Sequence, residues 1–383
     1  MGTSDTHYYY NYNLLHSLSQ IFNILSIMLL LFLLLCFNAK VEGALNSNKN
    51  VSAFYVFGDS TVDPGNNDFI ETPFRSNFPP YGRDFPNQTP TGRFTNGMLT
   101  TDYIASYVGL KKDVLPPYLD PNNSIEELVT GVSFASAGSG FDPLTPSISN
   151  VIPIEKQMEY FKECIGKLEV VLGKQKTENH LKKAVFFLSA GTNDFVLNYF
   201  TLPVQRKSYS ILAYQQFLIQ HVKEFIQGLV AEGARRIVVA GAPPMGCLPV
   251  MITLNSPNVV ERKCIDEYSS VARDYNKFLQ NELHALQLQL NANKQGVNIF
   301  YVDIYGPLDD MIQAPQKYGF DEVGNGCCGT GYIEASFMCN KASIVCPDPT
   351  KYVFWDSIHP TGKAYHQLFL AFVPTVDSII NNY

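Results

Sequence analysis

The sequence predicts a doubly wound α/β fold, and three observations carry that expectation. Four short runs are apolar almost without interruption: SAFYVF (52–57), AVFFLSA (184–190), RIVVAG (236–241) and VNIFYVDIY (297–305). Longer stretches between them place apolar residues at i, i+3 and i+4. A turn-forming segment then follows three of the runs: Gly58-Asp59-Ser60, Gly191-Thr192-Asn193-Asp194 and Ala242-Pro243-Pro244.

Unbroken rather than alternating apolar character marks strands covered on both faces, as in a parallel sheet between helices. The helical spacing runs over 155–173, 208–231 and 266–290, and a last helix is expected from near Thr361, just after Pro360, carrying Tyr365, Leu368, Phe369 and Phe372. Alternating strand and helix gives crossover connections and a parallel sheet. Ligands of such sheets bind beyond the carboxyl ends of the strands, where the three turns would gather. No low-complexity linker interrupts the pattern, so one α/β domain is expected over about 51–380, with long loops at 62–98 and 306–350.

A chain of 383 residues, 46% hydrophobic and 16% charged, has ample material for such a core. Its net charge of -7 provides no basic footprint, which argues against nucleic acid as a partner. No repeat of 20 to 50 residues is visible.

The amino terminus has a different character. Residues 21–37, IFNILSIMLLLFLLLCF, are nearly all apolar. They read as the core of a secretory signal peptide over 1–43, cleaved after Gly43, where Val41 and Gly43 suit the small-residue rule. No Lys or Arg precedes the core, and the rival reading is an uncleaved anchor. A spanning helix needs ~20 apolar residues, whereas this run is shorter and broken by Asn23 and Ser26. No stable membrane insertion is expected, because no other run is long enough.

Cysteine usage agrees with export. Cys36 lies in the leader, and Cys164, Cys247, Cys264, Cys327, Cys328, Cys339 and Cys346 remain. Their spacing lacks the paired C-x-x-C of a zinc site, so disulfides are expected. The odd count leaves a free thiol, assigned to isolated Cys164. Cys247 and Cys264 form a local pair, and adjacent Cys327 and Cys328 bond elsewhere, since joining them would be strained. Sequons at Asn50, Asn87 and Asn122 offer N-glycosylation sites.

Taken singly, the chemical segments are ordinary. Gly58-Asp59-Ser60 could be a plain turn. Gly191–Asp194 could be a helix N-cap. Asp356-x-x-His359-Pro360 could be a surface turn, and FASAGSG (134–140) a linker or close-packed crossing. Their order decides otherwise. GDST (58–61), FASAGSG, GTND (191–194) and WDSIHP (355–360) together resemble the plant branch of the GDSL esterase/lipase family, within the SGNH hydrolases. The flanking FYVFGDS (54–60), GNND (65–68), GRFTNG (92–97), PPMGCLP (243–249), CCGTG (327–331) and FWDSIHPT (354–361) agree, over nearly all of the chain after the leader. The resemblance implies a three-layer fold with a central, mostly parallel five-stranded sheet. Its four signature residues fall on Ser60, Gly138, Asn193 and His359.

The chemistry of these residues is coherent in its own right. A serine hydroxyl needs an adjacent base to become a nucleophile, and histidine is the usual one. After the leader the histidines are His180, His221, His284, His359 and His366. His180 sits in a polar segment, and His221, His284 and His366 fall within predicted helices. Only His359 lies in a loop with a carboxylate, Asp356, three residues before it. Asp356 can hold one ring nitrogen and aim the other at Ser60, with Pro360 setting the turn. By analogy with the family, the backbone N–H groups of Ser60 and Gly138 and the Asn193 amide form the oxyanion hole. Asp59 and Asp194 are expected to brace their own turns. Two departures stand out: Thr61 replaces the family's Leu, and Ser133 stands where members usually carry Asn, expected to weaken a support under Gly138.

The resulting expectation is a secreted, glycosylated serine esterase or lipase of the cell wall or apoplast, needing no metal or organic cofactor. Its substrate would be an acyl lipid, a polyester, or an acetylated or phenolic ester. The rivals are an acyltransferase using the same triad and a non-catalytic cell-wall glycoprotein.

Overall fold

Four parallel strands form the centre of the fold: β1 (Phe54–Gly58), β2 (Val185–Ser189), β3 (Arg236–Ala240) and β4 (Asn298–Val302), paired in that order. The computed structural model describes residues 22–29, 51–112, 114–256 and 261–381. Residues 22–29 are helical. The rest of the leader expected over 1–43 lies outside the described residues, as does Asn50. Lys49–Tyr383 group by contact into one unit. No helix among the described residues is long and apolar enough to cross a membrane.

Every residue of β1, β2 and β3 is buried, as their apolar runs lead one to expect, but β4, expected from an equally apolar run to be covered on both faces, is an end strand of the regular sheet and is buried only at Val302. A fifth position is filled along the free edge of β1. There the Val56 N–H donates to the Val132 carbonyl (3.1 Å), and the N–H groups of Phe134 and Ser136 donate to the carbonyls of Val56 (2.7 Å) and Gly58 (3.0 Å). The five-stranded sheet therefore consists of four regular strands and this edge segment. The chain leaves β1 for the edge, then returns to the other side of β1 as β2. That reversal places a topological switch point between the carboxyl ends of β1 and β2.

Ten helices of the α type are described in Lys49–Tyr383: α1 (Thr100–Tyr107), α2 (Ile125–Thr130), α3 (Leu144–Ser149), α4 (Ile154–Leu172), α5 (Lys174–Lys183), α6 (Ile211–Ala231), α7 (Pro249–Asn255), α8 (Asp266–Ala292), α9 (Tyr305–Gln313) and α10 (Gly362–Asn381). Local signals explain the long ones. The Ser210 hydroxyl caps α6 by accepting from the Ala213 N–H. Buried Leu279, Leu283, Leu286 and Leu290 form one stripe along α8. Pro153 precedes α4, and Gly173 ends it.

One face of the sheet is aromatic. Phe161 of α4 lies 5.5 Å from Tyr55 and from Phe186, and Phe225 of α6 lies 5.3 Å from Phe57, ring centre to ring centre. The opposite face carries Phe54, Val185, Phe187, Val238 and Val302, which share lining with α1 and α10. Helix, sheet and helix make three layers.

Two expectations need correction. The run 297–305 is a strand only to Val302, because Tyr305 opens α9. The segment 306–350 is not one long loop: it holds most of α9 and β5 (Glu322–Gly326), which pairs in parallel with β6 (Tyr352–Phe354). β5 and β6 are short and partly polar, so their pairing rather than periodicity defines them, whereas α9 does place buried Leu308, Met311 and Ile312 at i, i+3 and i+4. The loop 62–98 is irregular but pinned. Arg93 makes a bidentate pair with Asp102 at 2.8 Å, both side chains buried, and also donates to the carbonyls of Pro64 and Leu115.

Disulfides join Cys247 to Cys264, Cys327 to Cys346 and Cys328 to Cys339. Cys164 is free and buried, and burial pushes its thiol up to about 12, so it is inert at neutral pH.

His180 departs from its polar surroundings in sequence: it lies in α5 and is only 4% exposed. Burial lowers its imidazole to about 4, against about 6.5 in an unfolded chain. The folded state therefore stays neutral where the unfolded state takes a proton. This stability is present above pH ~6.5 and is lost as pH falls towards 4, by about 3 kcal/mol. Thermal unfolding midpoints measured from pH 7 to 4 should drop, and His180→Leu should flatten the drop. Identical slopes in both proteins would contradict this role.

Candidate active site

Ser60 sits two residues beyond the end of β1, on a turn that only glycine can open. Gly58 has φ +140°, and a Cβ there would lie 1.8 Å from the Ser189 carbonyl oxygen. Gln157 of α4 clamps the same residue: its amide donates to the Gly58 carbonyl and accepts from the Gly58 N–H, both at 2.9 Å. Asp59 accepts from the Thr61 N–H (3.0 Å) and hydroxyl (2.8 Å), so it braces its turn as expected. Its carboxyl is pushed up to about 6 by burial. Thr61, the departure from Leu, thus serves as a donor to Asp59.

His359 reaches this turn from the loop after β6. Its Nε2 lies 2.8 Å from the Ser60 hydroxyl, and its Nδ1 lies 2.9 and 2.8 Å from the two oxygens of Asp356. An Nδ1–H donated to the carboxylate leaves Nε2 as the acceptor for the serine hydroxyl. Asp356 is fully buried and also accepts from the backbone N–H groups of Ile358 (2.9 Å) and His359 (2.8 Å). The Trp355 N–H closes the loop onto the His359 carbonyl at 2.7 Å.

Two residues in this arrangement were not singled out in the sequence. The Tyr81 hydroxyl donates to Asp356 Oδ2 at 2.8 Å while accepting from the Ser336 N–H at 2.8 Å. Burial, then the Asp356 charge, raises the phenol far above its ordinary range, so it remains a donor. Phe94 packs its ring 5.0 Å from the imidazole. Phe94 belongs to GRFTNG, a block visible only as flanking text; nothing local marks Tyr81, whose partner lies 275 positions away.

On the other side of Ser60, Gly138 has φ +87°, a left-handed conformation suited to glycine. Among the described residues, neither the Gly138 N–H nor the Ser60 N–H has an acceptor. Asn193, placed just after β2, donates from its amide to the Ser139 carbonyl at 2.9 Å and lines the cleft beside Ser60. One amide hydrogen thus fixes the side chain and leaves the other for the cleft.

Asp194 corrects an expectation. It does not brace its own turn but reaches across to accept from the N–H groups of Phe141 and Asp142 and from the Thr145 hydroxyl. Burial pushes its carboxyl up to about 7. The support under Gly138 comes from the loop after Ser60. Asp63 accepts from the Ala137 N–H, Asn67 donates to the Ala137 carbonyl, and Asn66 donates to the carbonyls of Ser133 and Ala135. Ser133 instead ties the edge segment to the Val62 carbonyl.

A cleft open to solvent lies beside Ser60. Away from Ser60 and Asn193 its walls are mainly apolar, including Leu248, Leu308, Leu368 and Phe372. Among the described residues, no group of three or more His, Cys, Asp or Glu could hold a metal ion. Asn87 and Asn122 are both exposed.

Comparison with known proteins adds a lineage to this geometry. The family pattern of the GDSL-like lipase/acylhydrolases matches residues 54–372. A GDSL esterase/lipase of Arabidopsis thaliana is 57% identical over 349 residues, covering 90% of this chain and 92% of that protein. Two others from the same plant, also named GDSL esterase/lipase, are 46% identical over 319 residues (82% and 87% covered) and 43% identical over 338 residues (88% and 92%). The chain therefore belongs to the GDSL-like lipase/acylhydrolase family.

Proposed function

We propose that this chain, a carboxylic ester hydrolase by family, cleaves its substrate by serine acyl transfer. The observation that carries the reading is the Ser60–His359–Asp356 chain of hydrogen bonds, each at 2.8–2.9 Å. The Ser60 oxygen attacks the ester carbonyl carbon while His359 Nε2 takes the hydroxyl proton. Asp356 holds the ring and stabilises the imidazolium. The carbonyl oxygen, now negative, receives the N–H groups of Ser60 and Gly138 and the Asn193 amide. The bond to the leaving alcohol then breaks, and that alcohol takes the proton from His359. Water repeats the sequence on the acyl-serine, releasing the acid and restoring Ser60.

The protein acts outside the cell as a single domain over about 51–380, after removal of residues 1–43. Three disulfides and the exposed sequons at Asn87 and Asn122 support this route. An apolar cleft wall beside the nucleophile favours hydrolysis of acyl esters over very polar ones.

Ser60→Ala should lower p-nitrophenyl butyrate hydrolysis by at least ~10³-fold with an unchanged unfolding midpoint; activity near the parent level would refute the assignment. Tyr81→Phe tests positioning. Loss of a buried charge-assisted hydrogen bond should reduce kcat roughly tenfold with KM unchanged. A fall in stability alone, with kcat intact, would leave Tyr81 a packing residue.

A further inference from the structure

The two donors proposed to meet the oxyanion from outside the nucleophile's turn come from separate elements. Gly138 follows the edge segment beside β1, and Asn193 immediately precedes a π-helical turn, Asp194–Thr201, after β2. Two carboxylates tie these segments together reciprocally. Asp194, next to Asn193, accepts from the Phe141 N–H (2.8 Å), the Asp142 N–H (3.1 Å) and the Thr145 hydroxyl (2.5 Å). Asp142, in the segment that follows Gly138, accepts in return from the Asn198 amide of the π-helical turn (2.9 Å), the Gln205 amide (2.6 Å) and the Tyr214 hydroxyl (2.9 Å). Gly140 makes room for the exchange: a Cβ there would lie 2.1 Å from Asp194 Oδ1.

Burying a carboxylate is unfavourable unless its oxygens are occupied by donors. Asp142 and Asp194 are 2% and 0% exposed, each repels the other, and no Lys or Arg pairs with either among the described residues. Apolar side chains would fill the same space without that penalty. What the carboxylates add is a fixed spacing between the Gly138 segment and the start of the π-helical turn. We propose that Asp194 is a positioning residue of the reaction: it touches no reacting atom, but with Asp142 it sets the separation between the Gly138 N–H and the Asn193 amide. This inference rests on those two groups holding the oxyanion.

Asp194→Asn keeps the shape of the side chain but turns amide hydrogens towards a donor. The kcat for p-nitrophenyl butyrate should fall roughly 10- to 100-fold with KM unchanged. Inhibition by a trifluoromethyl ketone gives a readout that a merely structural role would not move. The Ser60 oxygen bonds to the ketone carbon, His359 takes the hydroxyl proton, and the ketone oxygen becomes the bound oxyanion. The inhibition constant should rise by the same factor as kcat falls. Gly140→Ala, whose methyl displaces the Asp194 carboxylate without removing it, should give the same pattern, and it decides the matter if Asp194→Asn does not fold. Asn193→Ala should also lower kcat, and joined to Asp194→Asn it should lose little more than the larger single effect. Parent kcat and inhibition in a folded variant, or a lowered unfolding midpoint alone, would overturn the positioning role, as would losses that simply multiply in the double variant. If Asn193→Ala kept the parent kcat, the oxyanion reading itself would fail, and this inference with it.

Discussion

A single hydrogen bond, from the Ser60 hydroxyl to the His359 imidazole, joins two turns 299 positions apart in the chain, and much of the surrounding structure exists to keep it short. Each end is held independently. Ser60 is fixed by the steric demand at Gly58 and by the Gln157 clamp. His359 is fixed by Asp356, which gathers two backbone N–H groups, the imidazole and the Tyr81 hydroxyl. A serine–histidine pair is useful only when such geometry is set before substrate arrives.

The rigidity on the histidine side comes from a small core outside the main sheet. Tyr81, Phe94, Ala137, Trp355 and three disulfide cysteines form one buried cluster. It draws together the loop after Ser60, the segment leading to Gly138 and the disulfide-bonded region before His359. Loops alone have too few contacts to stay ordered. Crosslinked at Cys327–Cys346 and Cys328–Cys339, they pack around an indole and two aromatic rings instead.

The side of the site proposed to hold the oxyanion is organised by buried carboxylates. Asp63 holds the backbone N–H of Ala137, just before Gly138, and Asp194 holds those of Phe141 and Asp142, just after it. Burial raises both carboxyls, to about 6 and about 7, a sign of how far this loop is removed from water. Donors held in a dry environment stabilise a developing charge more strongly than donors in solution. The apolar layer between the sheet and α10 begins beside this site, where Phe187 and Phe372 line the cleft at Ser60.

What the sequence determined by itself was local. Buried strands announced themselves as unbroken apolar runs because both faces are covered, and α4, α6, α8 and α10 by a single apolar stripe. Ser60, Gly138, Asn193, Asp356 and His359 are ordinary one by one and stood out because their four blocks, in order, resemble those of the GDSL esterase/lipase family. Asp356 and His359 could be related directly, being three residues apart. Other features have no local signature. The short, partly polar β5 is a strand only because it pairs with β6. Tyr81 looks like any aromatic residue until folding sets it against Asp356, and Asp194 looks like a turn residue until it crosses to the Gly138 loop. Only the tertiary structure could decide these, because a hydrogen bond between residues tens or hundreds of positions apart depends on the path of the chain and leaves no periodicity in it.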